Sequence, residues 1–335
     1  MPERHTDRHA TAVAHPNIAL VKYWGKRDLE HNLPAAGSLS MTLGGLRTET
    51  TVCFDDSLER DTFELDDQPV EDGSKLQRVV DFLDLVRERA GLQVSARVQS
   101  RNDFPTGAGL ASSASGFAAL ALAASAAAGL ELAPQELSVL ARRGSGSAAR
   151  SLFGGFVEMN PGERADGEDA FAQPLFGPEH WDLRCVIAVT ARGEKDIGST
   201  EGMTHTRETS PYYQPWVDSV PADIERARQA VERRDFSALA QVAEASCLRM
   251  HACAMAADPG IVYWNGTTVE LMHRVREARA AGLSAFFTID AGPQLKVFCP
   301  AADLDACVDL LEREDGVRDV LVAHPGGRAR LVDEG

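Results

Sequence analysis

The stretch 102–116, NDFPTGAGLASSASG, limits most sharply what this chain can fold into. Pro105 ends any helix before it, and Gly107 and Gly109 let a loop turn through positive φ. Ser112, Ser113 and Ser115 then stand where a helix should begin, ahead of an Ala/Leu run over 117–130 that closes at Gly129. Free backbone N–H groups and the positive end of a helix macrodipole suit a phosphate. Three hydroxyls at that point add donors or approach a phosphate-bound magnesium. The same composition also suits a plain N-cap with small residues for close packing. Neither the Walker A nor the Rossmann pattern is present.

The 335 residues suffice for a large core in one or two domains. A net charge of −16 argues against nucleic acid or an anionic membrane surface as the main partner. A local basic pocket for phosphates remains open, with Lys22, Lys26, Arg27, Arg142, Arg143 and Arg150 as candidates. The six cysteines lack any C-x-x-C pair, which predicts buried, reduced thiols and a cytoplasmic protein. The polar N-terminus carries no signal-peptide pattern, and the apolar run 117–130 is too short to span a bilayer.

Periodicity predicts a strand through Ile18, Leu20 and Val21, with Lys22, Tyr23 and Lys26 at its exit. It predicts a strand at 47–54 with 62–65 as its partner across the turn 55–57, and a helix over 74–90. Residues 94–98 feed the serine loop as a strand. A second Gly/Ser loop, 143–151, leads into one helical turn and a strand, and 160–177 reads as an exposed loop. The apolar strand 184–190 marks the boundary between an N-terminal half, 1–183, and a C-terminal half, 184–335, that share a core. Further helices are expected near 198–206, 222–231, 236–255, 267–281 and 303–313, with an interruption at 211–216. A hairpin, 284–289 and 295–299, turns through Asp290-Ala-Gly-Pro293, and a last strand follows at 317–322. The pattern is α+β, in two layers.

Pro105-x-x-x-Gly109-Leu110-x-Ser112-Ser113-x-Ser115 resembles the ATP-phosphate loop of the GHMP kinase superfamily. Three further blocks resemble one of its families, mevalonate diphosphate decarboxylase. They are Asn17-Ile-Ala with Lys22-Tyr-Trp-Gly-Lys26, Gly144-Ser-Gly-Ser-Ala148 with Arg150-Ser-Leu-Phe-Gly-Gly155, and Asp290-Ala-Gly-Pro293. The resemblance implies a two-lobed fold with the active site in the cleft between the lobes, and a homodimer. It implies ATP-dependent decarboxylation of mevalonate 5-diphosphate, with magnesium, to isopentenyl diphosphate, ADP, phosphate and CO₂.

It also implies roles. Asp290 is the general base or orienter of the 3-hydroxyl, Arg150 takes the substrate carboxylate, and Lys22 serves the diphosphate or the transferred phosphoryl group. Asn17, Tyr23, Lys26, Ser145, Ser147 and Met203 match substrate positions. Pro105, Gly107, Gly109, Leu110, Ser112, Ser113 and Ser115 match nucleotide positions, and no dedicated metal ligands are legible. Taken alone, Lys22 and Lys26 also fit a solvated edge, Arg150 an ion pair, and Asp290 an Asx turn. The chain departs from the family pattern at Ala36-Gly37, where many relatives have Asn-Ser, and at Thr200, where some bacterial relatives carry an arginine. Decarboxylation of mevalonate 5-phosphate is the nearest alternative. A kinase that stops after phosphorylating the 3-hydroxyl and a non-catalytic dimeric sensor on the same scaffold stand further off.

Overall fold

The computed structural model describes residues 8–71, 73–104, 112–193 and 196–332. The positions expected at Pro105, Gly107, Gly109 and Leu110 lie outside the described residues.

The first sheet runs in the order Arg330–Leu331, His9–Ala14, Thr48–Phe54, Ala96–Asn102, Thr62–Leu65, Gln68–Pro69. Its strand Ala96–Asn102 alternates buried and exposed side chains, so one face is solvated and the other is covered. The cover is Gly73–Ala90 and Ser112–Ala127, whose Phe82, Leu83, Phe117 and Leu120 join Val52, Phe54 and Val98 in one core. Helix Ser112–Ala127 is buried almost all round because alanines let strands and helices approach it from every side.

The second sheet is ordered Ala172–Phe176, Phe156–Met159, Ser38–Gly44, Asp319–Pro325, Leu183–Val189, Leu295–Pro300, Phe286–Ile289. Asn17–Val21 also pairs with Ser38–Gly44. Here the two-layer expectation fails, because alternate residues of one strand enter different cores. Cys185 and Ile187 face helices Tyr213–Arg233 and Phe236–Met255, while Val186 and Ala188 pack with Leu271 and Val275 of Gly266–Ala280 and Leu311 of Leu304–Glu312. A strand buried on both faces reads as a continuous apolar run, as Leu183–Val189 does.

Three local readings change. Thr62–Leu65 does not form a hairpin with Thr48–Phe54; it runs parallel to Ala96–Asn102. Asp61 carries the chain across, accepting two hydrogen bonds from Arg87, at 3.0 and 2.8 Å, and one from Ala96 N at 2.7 Å. Within the expected loop 160–177, Ala172–Phe176 is a strand on Phe156–Met159. The break at 211–216 is shorter than expected, and helix Tyr213–Arg233 runs through Pro221. Its stripe of Tyr213, Trp216, Val220, Ile224, Ala227 and Val231 is buried, which outweighs the one N–H that the proline lacks.

The halves interlock. Asp319–Pro325 sits between Leu183–Val189 and Ser38–Gly44, and Leu331 pairs with Ala12.

Candidate active site

Asn17–Val21 is followed directly by Lys22, whose backbone N–H donates to Ser246 Oγ of helix Phe236–Met255 at 3.0 Å. That contact aims the lysine across the molecule at the hairpin turn. Lys22 Nζ donates to Asp290 Oδ1 at 2.7 Å, joining positions 268 residues apart. The Lys22 side chain is 2% exposed and the Asp290 side chain 28%, so the carboxylate is the open end of the pair. Burial alone would push the Asp290 carboxyl up. Lys22, Lys296 and Arg150 outweigh it and hold the group below the ordinary carboxylate range. Asp290 is therefore ionised.

The turn that carries Asp290 is held from both sides. Gly292 N donates to Asp290 O at 2.8 Å, and Pro293 O accepts from Thr268 Oγ1 at 2.6 Å and Thr190 Oγ1 at 3.2 Å. The strand before it, Phe286–Ile289, is the last in its sheet, so alternate backbone groups face away from any strand. One face of helix Phe236–Met255 meets them. Phe287 N donates to Glu244 Oε1 at 3.2 Å and Ile289 N to Cys247 Sγ at 3.2 Å, while Ile289 O accepts from His251 Nε2 at 3.2 Å. A carbonyl only accepts, so His251 carries its proton on Nε2. Burial, with Lys22 adding, pulls that imidazole down to about 3, and it stays neutral.

Arg150 enters on the helical turn Ala148–Ser151 and is 2% exposed. Its Nε donates to Asn17 Oδ1 at 3.2 Å and its Nη1 to Ser38 Oγ at 2.9 Å, leaving Nη2 without a protein partner among the described residues. Asn17 is fixed in turn, donating to Ser151 Oγ at 2.7 Å and Ser147 O at 3.1 Å. Burial pulls the guanidinium down to about 10, with Tyr23 and Asp290 opposing the shift, so it keeps its charge. It sits 5.7 Å from the centre of the Tyr23 ring.

Tyr23 Oη is buried and has no hydrogen-bond partner among the described residues. A Cβ on Gly146 would lie 2.4 Å from that oxygen, so only glycine lets the second Gly/Ser loop close over the ring. Ser145 and Ser147 hydroxyls lie 3.3 Å apart on the same loop. Lys26, also buried, donates to Thr200 Oγ1 at 3.1 Å; burial, with Arg78 adding, pulls its ammonium down to about 8. Met203 packs in the same core as Trp24. A buried hydroxyl without a partner, next to cations and serines, fits a group rich in acceptor oxygens.

A cavity of about 200 Å³ opens beside the start of helix Ser112–Ala127. Phe63, Val79, Phe117 and Leu120 give it apolar walls, and Thr50, Ser112 and Ser113 line it with hydroxyls. Ser113 is exposed, and Ser112 half-buried. Ser115 is turned the other way, fully buried with its hydroxyl 2.6 Å from Thr48 Oγ1, and joins the helix to the sheet. Among the described residues no three His, Cys, Asp or Glu side chains converge on a point.

Arg142 does not belong to this cluster. It is buried against His31 O at 3.1 Å, Gly167 O at 2.6 Å and Ala170 O, where it ties two loops. Sequence reasoning missed Ser38, Ser246, His251 and Lys296. The last had a signal, a lysine inside the apolar strand Leu295–Pro300, and it is 2% exposed.

Comparisons with known proteins point to one family. Residues 14–172 match the model of the diphosphomevalonate decarboxylase-like N-terminal domain, and residues 185–320 that of the mevalonate 5-diphosphate decarboxylase C-terminal domain. The diphosphomevalonate decarboxylase of Ganoderma lucidum is 39% identical over 323 residues, covering 90% of this chain and 81% of the relative. Among solved structures, MDDEF in complex with MVAPP, AMPPCP and magnesium is 42% identical with a TM-score of 0.91, covering 97% of this chain and 99% of the other. The mevalonate diphosphate decarboxylase from Enterococcus faecalis is 40% identical with a TM-score of 0.89, at 97% and 99% coverage. Likeness of this extent, carried through both halves, means that the chain belongs to the mevalonate diphosphate decarboxylase family.

Proposed function

We propose that this protein is an ATP-dependent enzyme that converts mevalonate 5-diphosphate to isopentenyl diphosphate, ADP, phosphate and CO₂. The observation that carries this reading is the ionised Asp290, paired with Lys22 and standing open beside the buried Arg150 fork. A tertiary alcohol is a poor leaving group, so its oxygen first takes the terminal phosphoryl group of ATP. Asp290 accepts the hydroxyl as a hydrogen-bond donor and orients its oxygen. A carboxylate held at low pKa is a weak proton acceptor, so the proton moves late, as the new O–P bond forms. Lys22 offsets the negative charge of the transferred group.

When the C–O bond to phosphate breaks, positive charge grows on the tertiary carbon, and the Asp290 carboxylate stabilises it. The electrons of the bond to the substrate carboxylate then form the alkene, and CO₂ leaves. Arg150 orients that carboxylate, and its grip weakens as neutral CO₂ forms. Tyr23, Ser145, Ser147 and Lys26 hold the phosphate end, while Ser112, Ser113 and the 200 Å³ cavity receive the nucleotide with its magnesium. Following ADP and CO₂ separately, with ATP, magnesium and each mevalonate ester, tests the proposal. Both products should appear in equal amounts with the diphosphate. ADP without CO₂ would mean a kinase, turnover of the 5-phosphate alone would mean the smaller substrate, and no product would mean a binding protein.

Lys26 gives the reaction a pH signature. Its ammonium is present below about 8 in the free protein, and a neutral amine cannot hold a phosphate. kcat/KM for the ester should therefore fall as pH rises through about 8, with kcat at saturation changing less. Lys26→Met should lose this alkaline limb; the same limb in the variant would assign it elsewhere.

We also infer a cytoplasmic homodimer of two 1–335 chains, each folded as lobes 1–183 and 184–335, that acts on neither nucleic acid nor membranes. The net charge of −16 and the cysteines, none of them in a disulfide among the described residues, support the compartment and the partners. Among the described residues no helix is long and apolar enough to cross a membrane. The dimer rests on the family resemblance. Light scattering should give twice 36.1 kDa, and the monomer mass would overturn it.

A further inference from the structure

A second cavity, of about 510 Å³, does not lie at Asp290. Lys26 is the member of the candidate site that also lines it, together with Arg27, Arg207 and Tyr213. Arg207 comes from the last turn of helix Ser199–Thr209, far in sequence from the strand exit that carries Lys26. Its Nη1 donates to the backbone carbonyl of Lys26 at 2.9 Å, which fixes the guanidinium over that residue. The side chain keeps 31% of its surface exposed, and its nearest anion, Glu208, meets Nη2 at 3.2 Å from an exposed position. Among the described residues no carboxylate lines the cavity, although the chain as a whole carries a charge of −16. Three basic residues line it, and Glu208, the one anion on Arg207, is itself exposed and stands outside that lining, which marks a place for an external anion.

We infer that Arg207 is a specificity residue for a second phosphate. It takes the outer phosphate of a diphosphate whose inner phosphate is held by Tyr23, Lys26 and the serine loop. This rests on the proposed reaction and deepens it, because the outer phosphate is what separates the 5-diphosphate from the 5-phosphate. A guanidinium offers a planar fork to phosphate oxygens, and the bond to Lys26 O uses one N–H and leaves others to donate. Thr200, with a neutral hydroxyl on Lys26, supplies no charge of its own. Arg27 is a lesser contributor, since its Nη2 already donates to Arg164 O at 3.0 Å.

The test measures binding of inorganic pyrophosphate and of inorganic phosphate by calorimetry, with wild type and Arg207→Gln. Glutamine keeps an N–H for the Lys26 carbonyl while removing the charge. Pyrophosphate affinity should drop about 10- to 100-fold, the worth of one charge-assisted hydrogen bond, with phosphate affinity changed less than about twofold. Unchanged pyrophosphate affinity, or equal losses for both anions, would overturn the proposal; equal losses would mean that Arg207 only positions Lys26. A second measurement needs no variant. Phenylglyoxal labelling of Arg207 in the wild type, read by mass spectrometry, should be blocked by pyrophosphate and not by phosphate. Labelling that pyrophosphate leaves unprotected overturns the proposal even if the variant does not fold. Neither readout depends on turnover. A protein that grips pyrophosphate through Arg207 but makes no CO₂ would sink the decarboxylase reading alone, and a working decarboxylase whose grip ignores Arg207 would sink this one alone.

Discussion

Asp290→Asn should stop both halves of the reaction, with ADP and CO₂ release falling together by at least about 10²–10⁴-fold. Asparagine keeps the size of the side chain and much of the turn, which is held by Gly292 N, Thr268 and Thr190 through backbone atoms. What it removes is the charge. Lys22 then faces Lys296 and Arg150 without the carboxylate that balances all three. The free variant should melt lower than wild type, and an anionic substrate ester should restore part of the loss by binding where charge is missing. Single-turnover measurement of ADP and CO₂ checks the assignment. Near-normal release of both from a folded variant would remove Asp290 from the chemistry. Normal ADP without CO₂ would confine it to the elimination and contradict its role in orienting the hydroxyl.

Arg150→Lys should lower kcat by roughly 100-fold while KM for ATP stays within about twofold. Arginine reaches Asn17 Oδ1 and Ser38 Oγ with two different nitrogens and still presents Nη2. A single ammonium cannot replace that fork. One of the two buried oxygens loses its donor, at a cost of about 1–3 kcal/mol, and the substrate carboxylate loses its plane of contact. Misplacement of a reacting group by about 1 Å is enough for an effect of this size. Steady-state kinetics with each substrate varied would check it. A change confined to KM for ATP would place Arg150 on the nucleotide instead.

Many of the residues in this arrangement could be named from the sequence, because they stand in short local blocks that resemble one family. Lys22, Tyr23 and Lys26 lie on one strand exit, Ser145 to Arg150 on one loop and turn, and Asp290 in one hairpin turn. What the sequence hid is the support that comes from distant segments. Nothing in the helical pattern of 236–255 distinguishes Ser246 or His251 from other buried positions, and their meaning appears only when Lys22 N and Ile289 O arrive beside them. Arg207 was hidden for the same reason, since an arginine near a helix end ordinarily reads as a favourable partner of the helix dipole. The topology errors have a related origin. Alternation at 62–65 reveals a strand but not its neighbour, and the Asp61–Arg87 pair that decides the matter spans separate elements.

The helix face that holds Phe286–Ile289 also bears on how the protein behaves in crowded solution. An open sheet edge is a template for another chain, whether a second copy or an unfolded segment. Here Glu244, Cys247 and His251 occupy the N–H of Phe287 and the N–H and C=O of Ile289, so an incoming strand finds those three groups already paired. Glu244 is itself held by Arg279 at 2.7 Å, which keeps the blockade in place. Substitutions that loosen this face should therefore raise aggregation as well as lower turnover, and the two losses should follow one another from variant to variant.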